Sequence, residues 1–471
     1  MRRLIQITVF LAALSAIPMS AKAAPRPNVV LFLIDDLGWK DLGCQGSDYY
    51  HTPHIDRLAA QGVRFTDAYA ACAVCSPTRA SVLTGKYPAR LLLTQWLPAG
   101  RWNPQAHRMR EGRFLRALPL EEITLAEALR EAGYATLHVG KWHLGGPPFS
   151  LPAQHGFDVN VAGSEHGAPG KYFFPYKGKW KVPTTGKTVL KQTLPNGKPG
   201  EYLTDRLTEE AIALIRQNKD RPFFLYFPHY AVHTPLQAKK EMLARYEAVP
   251  EERRQGKSEY AAMIESVDES VGRVMKILGE LGLEKNTLVI FTSDNGGFAR
   301  ATSNAPLRAN KGSHYEGGIR VPLIIKTPDI TNAGRLSRVP VITNDLYPTI
   351  LELTGLPPQP FQHVDGVSLA PLLEGVSIDR RPLFWHYPHY NRHPQNAPVS
   401  IIRRGSWKLI EFLETGAIEL YNLSDDLGET TNLAEEQTDR AQELLIELRA
   451  WQDEVGAEPM LPNPSFQSEA P

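Results

Sequence analysis

The sequence is poor in cysteine, in net charge and in long hydrophobic runs, and each shortage excludes a class of protein. Three cysteines in 471 residues cannot build a disulfide scaffold. Lysine and arginine total 52 against 51 aspartates and glutamates, and a formal charge of +1 gives no case for a nucleic-acid partner. Beyond the first residues, no apolar stretch reaches the length of a transmembrane helix. The remaining composition, 42% hydrophobic and 22% charged, is that of a large globular protein.

The first residues have the pattern of a secretory signal. Arg2 and Arg3 precede an apolar run over residues 4–17, and Ala21-Lys22-Ala23 forms a small-residue cleavage site before Ala24. The alternative is a membrane anchor, but the run is short and no basic stop-transfer flank follows it. We therefore expect residues 1–23 to be a signal peptide and the protein to be exported, either to a periplasm or to the medium.

Short apolar runs alternate with amphipathic stretches along most of the chain. Runs rich in β-branched and aromatic residues predict buried strands at residues 28–34, 134–139, 222–227, 287–292 and 321–326. Periodicity and capping patterns predict helices at residues 55–62, 124–132, 203–218 and 260–281. This alternation predicts an α/β fold, in which a large, mostly parallel or mixed sheet is sandwiched by helices.

The pattern changes after about residue 380. Short runs at residues 399–403 and 407–412 are separated by turn residues, and a helix is predicted over Thr438–Val455. These features indicate a smaller α+β subdomain with an antiparallel sheet and a helix. The predicted division is a catalytic domain, a C-terminal subdomain and a flexible tail, over residues 24–378, 379–460 and 461–471.

Three histidines near the start of this subdomain form a tempting cluster. His386, His389 and His393 lie in a proline-rich stretch. We interpret that stretch as an exposed loop rather than a metal site, because the spacing is not that of metal ligands on one element.

Acidic and amide side chains follow two of the predicted strands. Asp35-Asp36 come directly after the strand at 28–34, and Asp294-Asn295 come just after the strand at 287–292. Ligands of open α/β sheets bind beyond the carboxyl ends of the strands. Hard oxygen ligands of this kind suit Ca²⁺ or Mg²⁺. For either pair alone a cap of a turn or helix is the favoured interpretation, but their matching placement after two apolar strands reverses that preference in favour of a metal site.

The segment Cys75-Ser76-Pro77-Thr78-Arg79 begins a predicted helix that ends at Gly85. Cys75 therefore lies at a helix N-terminus, where the helix dipole favours negative charge. With Cys72 it also forms a C-x-x-C pair, which is typical of redox or zinc sites. No second such pair exists in the sequence, and a plain buried cysteine is a further alternative.

Basic side chains and a further histidine also follow predicted strands. Lys141 and His143 come after the strand at 134–139, and His233 lies beyond the strand at 222–227. Lys311 precedes the strand at 321–326. Each of these residues alone reads as a solvated lysine or a structural histidine. Together they bring cationic and proton-transferring groups towards one edge of the sheet.

These motifs resemble those of a known family. Cys75-Ser76-Pro77-Thr78-Arg79, with the downstream Leu-Thr-Gly-Lys at 83–86, resembles the signature of type I sulfatases in the alkaline-phosphatase-like superfamily. The stretch Gly-Lys-Trp-His-Leu-Gly at 140–145 resembles the second signature of that family. The other motifs fall in the family's order, over nearly the whole chain after residue 23. A small departure is His54, where the family more commonly has asparagine.

The resemblance implies a nucleophile and a metal. Cys75 would be oxidised to formylglycine by a formylglycine-generating or sulfatase-maturating enzyme and then hydrated to a gem-diol. One hydroxyl would attack sulfur and displace the substrate alcohol, giving a covalent sulfo-enzyme intermediate, and the other, once deprotonated, would return the carbon to the aldehyde and expel sulfate. Ca²⁺, in preference to Mg²⁺, would lie beside residue 75. Its other ligands would be Asp35, Asp36, Asp294 and Asn295.

The resemblance also implies roles for the remaining polar residues. Arg79 and His143 would orient and deprotonate the diol, and Lys141 and Lys311 would hold the sulfate oxygens. His233 would protonate the leaving oxygen. The implied activity is hydrolysis of sulfuric esters.

Two insertions with aromatic residues are strongly basic. Residues 90–116 hold six arginines and one acid, and residues 166–200 hold seven lysines and no acid. Positive charge attracts polyanions, and aromatic rings stack on sugar faces, so we expect a sulfated oligosaccharide or polysaccharide as substrate. The alternative is that both are solvated surface loops.

Other functions stay open on the sequence alone. A phosphodiesterase or phosphonate monoester hydrolase of the same superfamily would use a similar metal site. An inactive glycan-binding relative is a third possibility, although Cys75 and both acidic pairs are intact. The sequence leaves open whether Cys44 and Cys72 pair.

Overall fold

The structure is a computed structural model that describes residues 26–97, 102–181, 187–328, 331 and 333–466. The expected signal peptide, residues 1–23, lies outside the described residues, and so does the end of the expected tail from residue 467. Among the described residues, no helix combines the length and the apolar character needed to cross a membrane.

The strands and helices are numbered in chain order. The strands are β1 (Asn28–Ile34), β2 (Val63–Phe65), β3 (Ala68–Tyr69), β4 (Met109–Arg110), β5 (Ala135–Val139), β6 (Val159–Val161), β7 (Lys177–Lys181), β8 (Thr188–Gln192), β9 (Phe223–Pro228), β10 (Thr287–Ser293), β11 (Leu323–Lys326), β12 (Arg335–Ser337), β13 (Val341–Ile342), β14 (Leu383–Tyr387), β15 (Val399–Arg404), β16 (Trp407–Phe412), β17 (Ile418–Asn422) and β18 (Leu461–Pro462). The helices are α1 (Pro53–Gln61), α2 (Cys75–Thr84), α3 (Leu125–Glu131), α4 (Leu203–Gln217), α5 (Lys240–Glu247), α6 (Ser258–Glu280), α7 (Glu316–Ile319), α8 (Leu346–Leu353), α9 (Ala370–Glu374) and α10 (Thr438–Val455).

A mixed eight-stranded sheet forms the centre of the molecule, in the order β12-β2-β11-β10-β1-β9-β5-β6. β1 pairs in parallel with β10 on one side and β9 on the other. β11 is antiparallel to both of its neighbours, β10 and β2. The predicted mixed α/β sheet is confirmed, and four of the five predicted strands lie within one residue of their observed bounds. The fifth begins at Leu323 rather than at residue 321.

The side chains of β1 explain why the sheet is covered on both faces. All seven of its residues are buried. Val30, Phe32 and Ile34 pack into one apolar cluster with residues of α1, α4 and α6. The alternate residues Val29 and Leu31 pack on the other face with residues of α2, α3 and α8. A strand buried on both faces reads as a continuous apolar run, as the sequence does here.

The C-terminal part contains a four-stranded antiparallel sheet in the order β14-β15-β16-β17, with α10 packed against it. The interpretation of the nearby histidines as an exposed loop is wrong for two of them. His386 lies within β14 and is bonded to Ser400 Oγ at 2.6 Å, and His389 is completely buried beside Thr94. Sheet formation draws these residues inward, which the proline content of the segment conceals.

The expected flexible tail begins with a paired segment. β18 pairs antiparallel with β4, and the side chain of Asn463 donates to the carbonyls of Pro104 and His107 at 2.8 Å. Contacts with a distant part of the chain therefore order the start of the expected tail, which has no periodic pattern that would predict a strand or helix. The division of the chain at residue 378 stays a prediction.

Candidate active site

The two acidic pairs meet where β1 and β10 end. The parallel register pairs Ile34 with Ser293, which places Asp35-Asp36 beside Asp294-Asn295. The backbone N–H of Asp36 donates to Asp294 Oδ1 at 3.3 Å, and Asn295 Nδ2 donates to Asp36 Oδ1 at 2.9 Å. All four side chains are buried. The structure thus brings together the four residues that the sequence analysis named as metal ligands.

Cys75 joins this cluster from another direction, as the first residue of α2. Its Sγ lies 3.4 Å from Lys311 Nζ. Single ligand atoms of Asp35, Asp36, Cys75 and His233 all lie within 4.8 Å of one another. Burial raises the pKa of the Cys75 thiol to about 11. An unmodified Cys75 is therefore a protonated, weakly nucleophilic thiol at neutral pH.

Arg79 connects α2 to both strand ends. Its Nε and Nη2 lie 2.9 Å and 2.7 Å from Asp294 Oδ2, and its Nη1 donates to the carbonyl of Lys141 at 3.1 Å. Burial alone would lower the pKa of Arg79, but the carboxylates of Asp294 and Asp35 raise it above its ordinary value. Arg79 is a permanent cation that fixes Asp294.

The two lysines pair with the first acidic pair. Lys141 Nζ lies 2.7 Å from Asp35 Oδ2, and Lys311 Nζ lies 2.5 Å from Asp36 Oδ1. Burial tends to raise the pKa of Asp36, but Lys311 and then His233 hold it below its ordinary value. For Asp35, burial outweighs the attraction of Lys141 and raises the pKa. Two lysine heads thus lie beside the cysteine and the carboxylates.

Both predicted catalytic histidines are held in the neutral form. His143 Nε2 donates to the carbonyl of Leu97 at 2.7 Å, which leaves the buried Nδ1 without a hydrogen-bond partner among the described residues. His233 Nδ1 donates to the carbonyl of Thr234 at 2.8 Å, and its Nε2 lies 3.7 Å from Asp36 Oδ2. Burial, helped by a neighbouring lysine, lowers the pKa of each histidine well below its ordinary range.

The backbone at two of these residues is unusual. Asp36 and His143 have φ angles of 64° and 61°, in the left-handed region that side chains other than glycine seldom adopt. Such conformations cost free energy and concentrate at functional sites.

The donor set fits a divalent cation. Asp35 Oδ1 and Asn295 Oδ1 are buried, and within the described ranges neither has a hydrogen-bond partner. A buried carboxylate or amide oxygen without a donor is costly unless a ligand supplies its partner. Oxygen atoms from three carboxylates and one amide suit Ca²⁺ or Mg²⁺ and disfavour softer metals.

The sequence analysis missed several backbone groups that shape the site. The carbonyl of Leu97 holds His143 Nε2, and the carbonyl of Ser164 accepts the backbone N–H of His143 at 3.0 Å. The hydroxyl of Tyr260 donates to the carbonyl of Asp36 at 2.8 Å. Every residue has a backbone carbonyl, so residue type cannot predict which carbonyls contact the site. The only available indication was that Leu97 lies in the first basic insertion and Ser164 just before the second.

The remaining candidates lie outside the site. His229, which follows β9, is a buried histidine outside the cluster, with its Nε2 3.3 Å from Ser270 Oγ. Cys44 and Cys72 are free cysteines, and Cys72 Sγ lies 3.7 Å from His314 Nε2. The C-x-x-C pair therefore does not form a joint site in this structure.

The fold is that of the alkaline-phosphatase-like superfamily. The family model described as Sulfatase matches residues 27–356, and a model described as N-sulphoglucosamine sulphohydrolase, C-terminal, matches residues 309–454. The chain belongs to the sulfatase family, and it is an enzyme that hydrolyses sulfate esters.

Individual relatives cover most of both chains. A sulfatase of Formosa agariphila is 34% identical over 96% of this chain and 94% of its own. The N-acetylgalactosamine-6-sulfatase of Mus musculus is 34% identical over 91% of this chain and 82% of its own. The crystal structure of Ps i-CgsB in complex with k-i-k-neocarrahexaose superimposes with a TM-score of 0.76 at 30% identity, over 94% of this chain and 95% of that chain.

Proposed function

We propose that this sulfatase removes sulfate from a sulfated glycan, with residue 75 as a formylglycine nucleophile beside a Ca²⁺ ion. The observation that carries the proposal is the convergence of four ligand atoms, from Asp35, Asp36, Cys75 and His233, within 4.8 Å. Three separate segments of the chain supply them. A cluster of this composition is expected of an active site and is expensive to maintain otherwise.

The state of the thiol supports conversion of Cys75. With a pKa near 11 the buried thiol is protonated at neutral pH and is a poor nucleophile. Formylglycine would supply a hydrated aldehyde, whose hydroxyl attacks sulfur. A maturation enzyme would have to act before folding is complete, because Cys75 is buried in the folded chain.

The side chains around residue 75 would position and stabilise the reacting groups. Lys141 and Lys311 would hold the sulfate oxygens and stabilise the charge that moves during transfer. The free Nδ1 of the neutral His143 is able to accept a proton from the nucleophile. His233, on the more open side of the cluster, would protonate the leaving oxygen.

Arg79 would act through its neighbours. Its hydrogen bonds to Asp294 Oδ2 and to the carbonyl of Lys141 fix one metal ligand and one sulfate-binding residue. This role differs from the direct contact with the diol that the family resemblance implied.

The proposed metal ligands are Asp35, Asp36, Asp294 and Asn295, with residue 75 beside them. The unpartnered Oδ1 atoms of Asp35 and Asn295 support this assignment. A Ca²⁺ ion held there would supply charge that polarises a sulfate oxygen. Ca²⁺ is preferred to Mg²⁺ because the donors are numerous and mostly carboxylate, whereas Mg²⁺ usually retains several waters.

A sulfated glycan is supported by the relatives and by the insertions. One relative is named for N-acetylgalactosamine 6-sulfate, and Ps i-CgsB was crystallised with a carrageenan-type oligosaccharide. The first basic insertion reaches the site through the carbonyl of Leu97. The second begins beside Ser164, whose carbonyl holds His143. Export through the predicted signal peptide would bring the enzyme to such extracellular polymers.

Parallel rate measurements on four substrates test this proposal. Sulfate release is measured from a sulfated oligosaccharide and from 4-nitrophenyl sulfate, and phosphate release from the matching phosphate monoester and diester. The proposal expects the sulfated oligosaccharide to be preferred, with a kcat/KM that falls as salt screens the basic insertions. Preference for the phosphodiester would favour the superfamily alternative, and salt-independent turnover would remove the role of the basic insertions.

A further inference from the structure

A buried lysine in the second basic insertion lies within electrostatic reach of Lys141 and forms no ion pair among the described residues. Lys191 lies in β8, is 4% exposed, and among the described residues its Nζ has no hydrogen-bond partner. Its Nζ lies over the ring of Trp180, 5.1 Å from the ring centroid. Lysine is seldom buried without a partner, because desolvation of the ammonium is costly.

The hairpin that carries Lys191 packs onto the segment behind His143. β7 and β8 pair antiparallel, and Gly178 stands directly opposite Lys191. A Cβ atom on Gly178 would come within 2.5 Å of the carbonyl oxygen of Gly170. Glycine at 178 therefore allows the hairpin to lie against the backbone of the preceding loop and to bring Lys191 with it.

The same loop continues to the catalytic histidine. The rings of His166 and Trp180 have centroids 5.4 Å apart. A Cβ atom on Gly167 would lie 2.4 Å from Cε1 of His143, so this glycine packs directly on the His143 ring. Lys191 is thus connected to His143 through three packing contacts, by way of Trp180 and the loop at 164–167.

The electrostatics agree with this placement. Burial, and then the charge of Lys141, lowers the pKa of Lys191 to about 7, and Glu165 opposes the shift. Glu165 is 47% exposed and lies 3.6 Å from His166 Nε2 rather than at ion-pair distance from Lys191. An anion brought close to Lys191 would return the full positive charge to it.

We infer that Lys191, with Trp180 and His166, forms a subsite for a second anionic substituent of the substrate, beside the pocket for the sulfate that is removed. The chemistry that fits is a second sulfate ester or a carboxylate on the same or the adjacent sugar. The Trp180 ring supplies an apolar face for the sugar itself. This inference rests on the proposed glycan substrate and adds a residue that selects among glycans.

The test compares the binding of three sugars that differ in one charge. They are N-acetylgalactosamine 6-sulfate, N-acetylgalactosamine 4,6-disulfate, and the disaccharide of glucuronate with N-acetylgalactosamine 6-sulfate. Dissociation constants are measured by calorimetry in the full-length Cys75→Ala protein, so that no sugar is hydrolysed. We expect at least one doubly charged sugar to bind about tenfold or more tightly than the monosulfate, since a charge-assisted hydrogen bond has that strength. The sugar that does so identifies the second group as sulfate or carboxylate.

The decisive variant is Lys191→Met in the same background. It is expected to bring the ratio of the dissociation constants close to one while the monosulfate constant changes less. The melting temperature of Lys191→Met is expected to equal or exceed that of its parent, because a buried unpaired cation is replaced by an apolar side chain of similar length. A merely structural lysine would give a lower melting temperature and equal weakening of all sugars.

Two matched variants separate local binding from general attraction. Lys179→Met removes an exposed lysine from the same hairpin and is expected to weaken all sugars by a common factor. Lys219→Met removes an exposed lysine that precedes β9, at the opposite end of the strands, and is expected to leave the binding of all three sugars unchanged.

Equal binding of all three sugars by the parent, or an unchanged ratio of dissociation constants in Lys191→Met, would overturn the inference. Failure of the wild-type enzyme to release sulfate from any of these sugars while it hydrolyses 4-nitrophenyl sulfate would instead overturn the proposed glycan substrate.

Discussion

Two buried clusters in this molecule have the same charge composition but differ in how closely their buried oxygens are paired. The active-site cluster contains Asp35, Asp36 and Asp294 against Arg79, Lys141 and Lys311. A second cluster, here called the boundary cluster, lies between the large sheet and the C-terminal sheet. It sets three carboxylates against three cations, which are Asp67, Glu316, Glu429, Arg320, Arg403 and Lys408.

The carboxylates of the boundary cluster are closely paired with cations, including Glu429 Oε1, which makes no hydrogen bond among the described residues. Lys408 Nζ lies 3.0 Å from Glu316 Oε1 and 2.8 Å from Glu429 Oε1, and the hydroxyl of Tyr69 donates to Glu316 Oε2 at 2.6 Å. In the active-site cluster, Asp35 Oδ1 and Asn295 Oδ1 have no such donor among the described residues. Charge balance therefore does not distinguish a binding site from a structural ion network. What differs is the pairing of the buried oxygens, because Lys408 Nζ lies 2.8 Å from Glu429 Oε1 whereas Arg79 Nη2 lies 3.9 Å from Asp35 Oδ1.

The largest effect is expected at the nucleophile. Cys75→Ala should lower sulfate ester turnover by more than about ten-thousandfold, because the bond-forming group is lost. Its melting temperature should stay close to that of the wild type. The matched control is Cys44→Ala, a partly buried cysteine away from the cluster, which should keep its turnover. Substantial turnover by Cys75→Ala would contradict the assignment of residue 75.

Lys408→Met tests the structural half of the comparison. This change leaves Glu316 and Glu429 buried without their shared cation, and it should lower the free energy of unfolding by about 3–5 kcal/mol. Urea denaturation measures the loss, with the exposed Lys219→Met as a control that should change little.

Lys141→Met is the counterpart in the active-site cluster. In calcium-containing buffer it should cost about a hundredfold or more in turnover and less stability than Lys408→Met, because a bound cation still compensates Asp35. An equal loss of stability in both variants would contradict the distinction between a metal-binding cluster and a structural ion network.

Metal binding should appear in the stability of the protein as well as in its rate. With Ca²⁺ at about a hundred times its dissociation constant, the free energy of unfolding should rise by about 2.7 kcal/mol. A chelator should reverse the rise, and added Ca²⁺ should restore it. Asp35→Asn should remove most of the calcium-dependent shift in melting temperature. A wild-type melting temperature that changes with neither Ca²⁺ nor chelator would refute the proposed metal site.

The smallest expected effect is a pH dependence at the boundary cluster. Burial, and then Lys408, lowers the pKa of His314 from 6.5 to about 3, so the folded protein keeps this histidine neutral. Below pH 6.5 the unfolded chain binds a proton that the folded chain does not. Stability is therefore fully present above pH 6.5 and falls by about 1.4 kcal/mol per pH unit towards pH 3.

His314→Gln should reduce the slope of the free energy of unfolding against pH below pH 6.5, because the variant takes up one proton fewer on unfolding. Buried His138 and His229, whose pKa values burial also lowers to about 3, continue to contribute in the variant. Free energies of unfolding measured at pH 7, 6 and 5 would show the change. An unchanged slope would mean that His314 is protonated in the folded protein.

Local patterns predicted much of the fold because they depend on neighbouring residues. The apolar run of β1, the capping box of Thr124 and Glu127, and the helix Thr438–Val455 all follow from short-range spacing. The positions of the acidic pairs followed from the rule that ligands bind at strand ends. The specific roles of the site residues came from the family resemblance rather than from the spacing.

The parts that sequence reasoning missed depend on long-range contacts. β11 runs antiparallel to its neighbours β10 and β2, and nothing in its composition indicates direction. Burial of His386 follows from pairing of β14 with β15, and His389 is held by Thr94 and Glu111 from a distant segment of the chain. Lys191 reads as one of seven lysines in a basic insertion, and only the packing of the hairpin shows that it is buried.

The mass of one tryptic peptide tests the central claim most directly. Cleavage after Arg64 and Arg79 releases the peptide of residues 65–79, which contains both Cys72 and Cys75. In protein isolated from its own host, we expect residue 75 to have lost one sulfur and two hydrogens and gained one oxygen, while Cys72 stays a thiol and serves as the internal control. Fully active enzyme that carries an unmodified thiol at residue 75 would contradict the account.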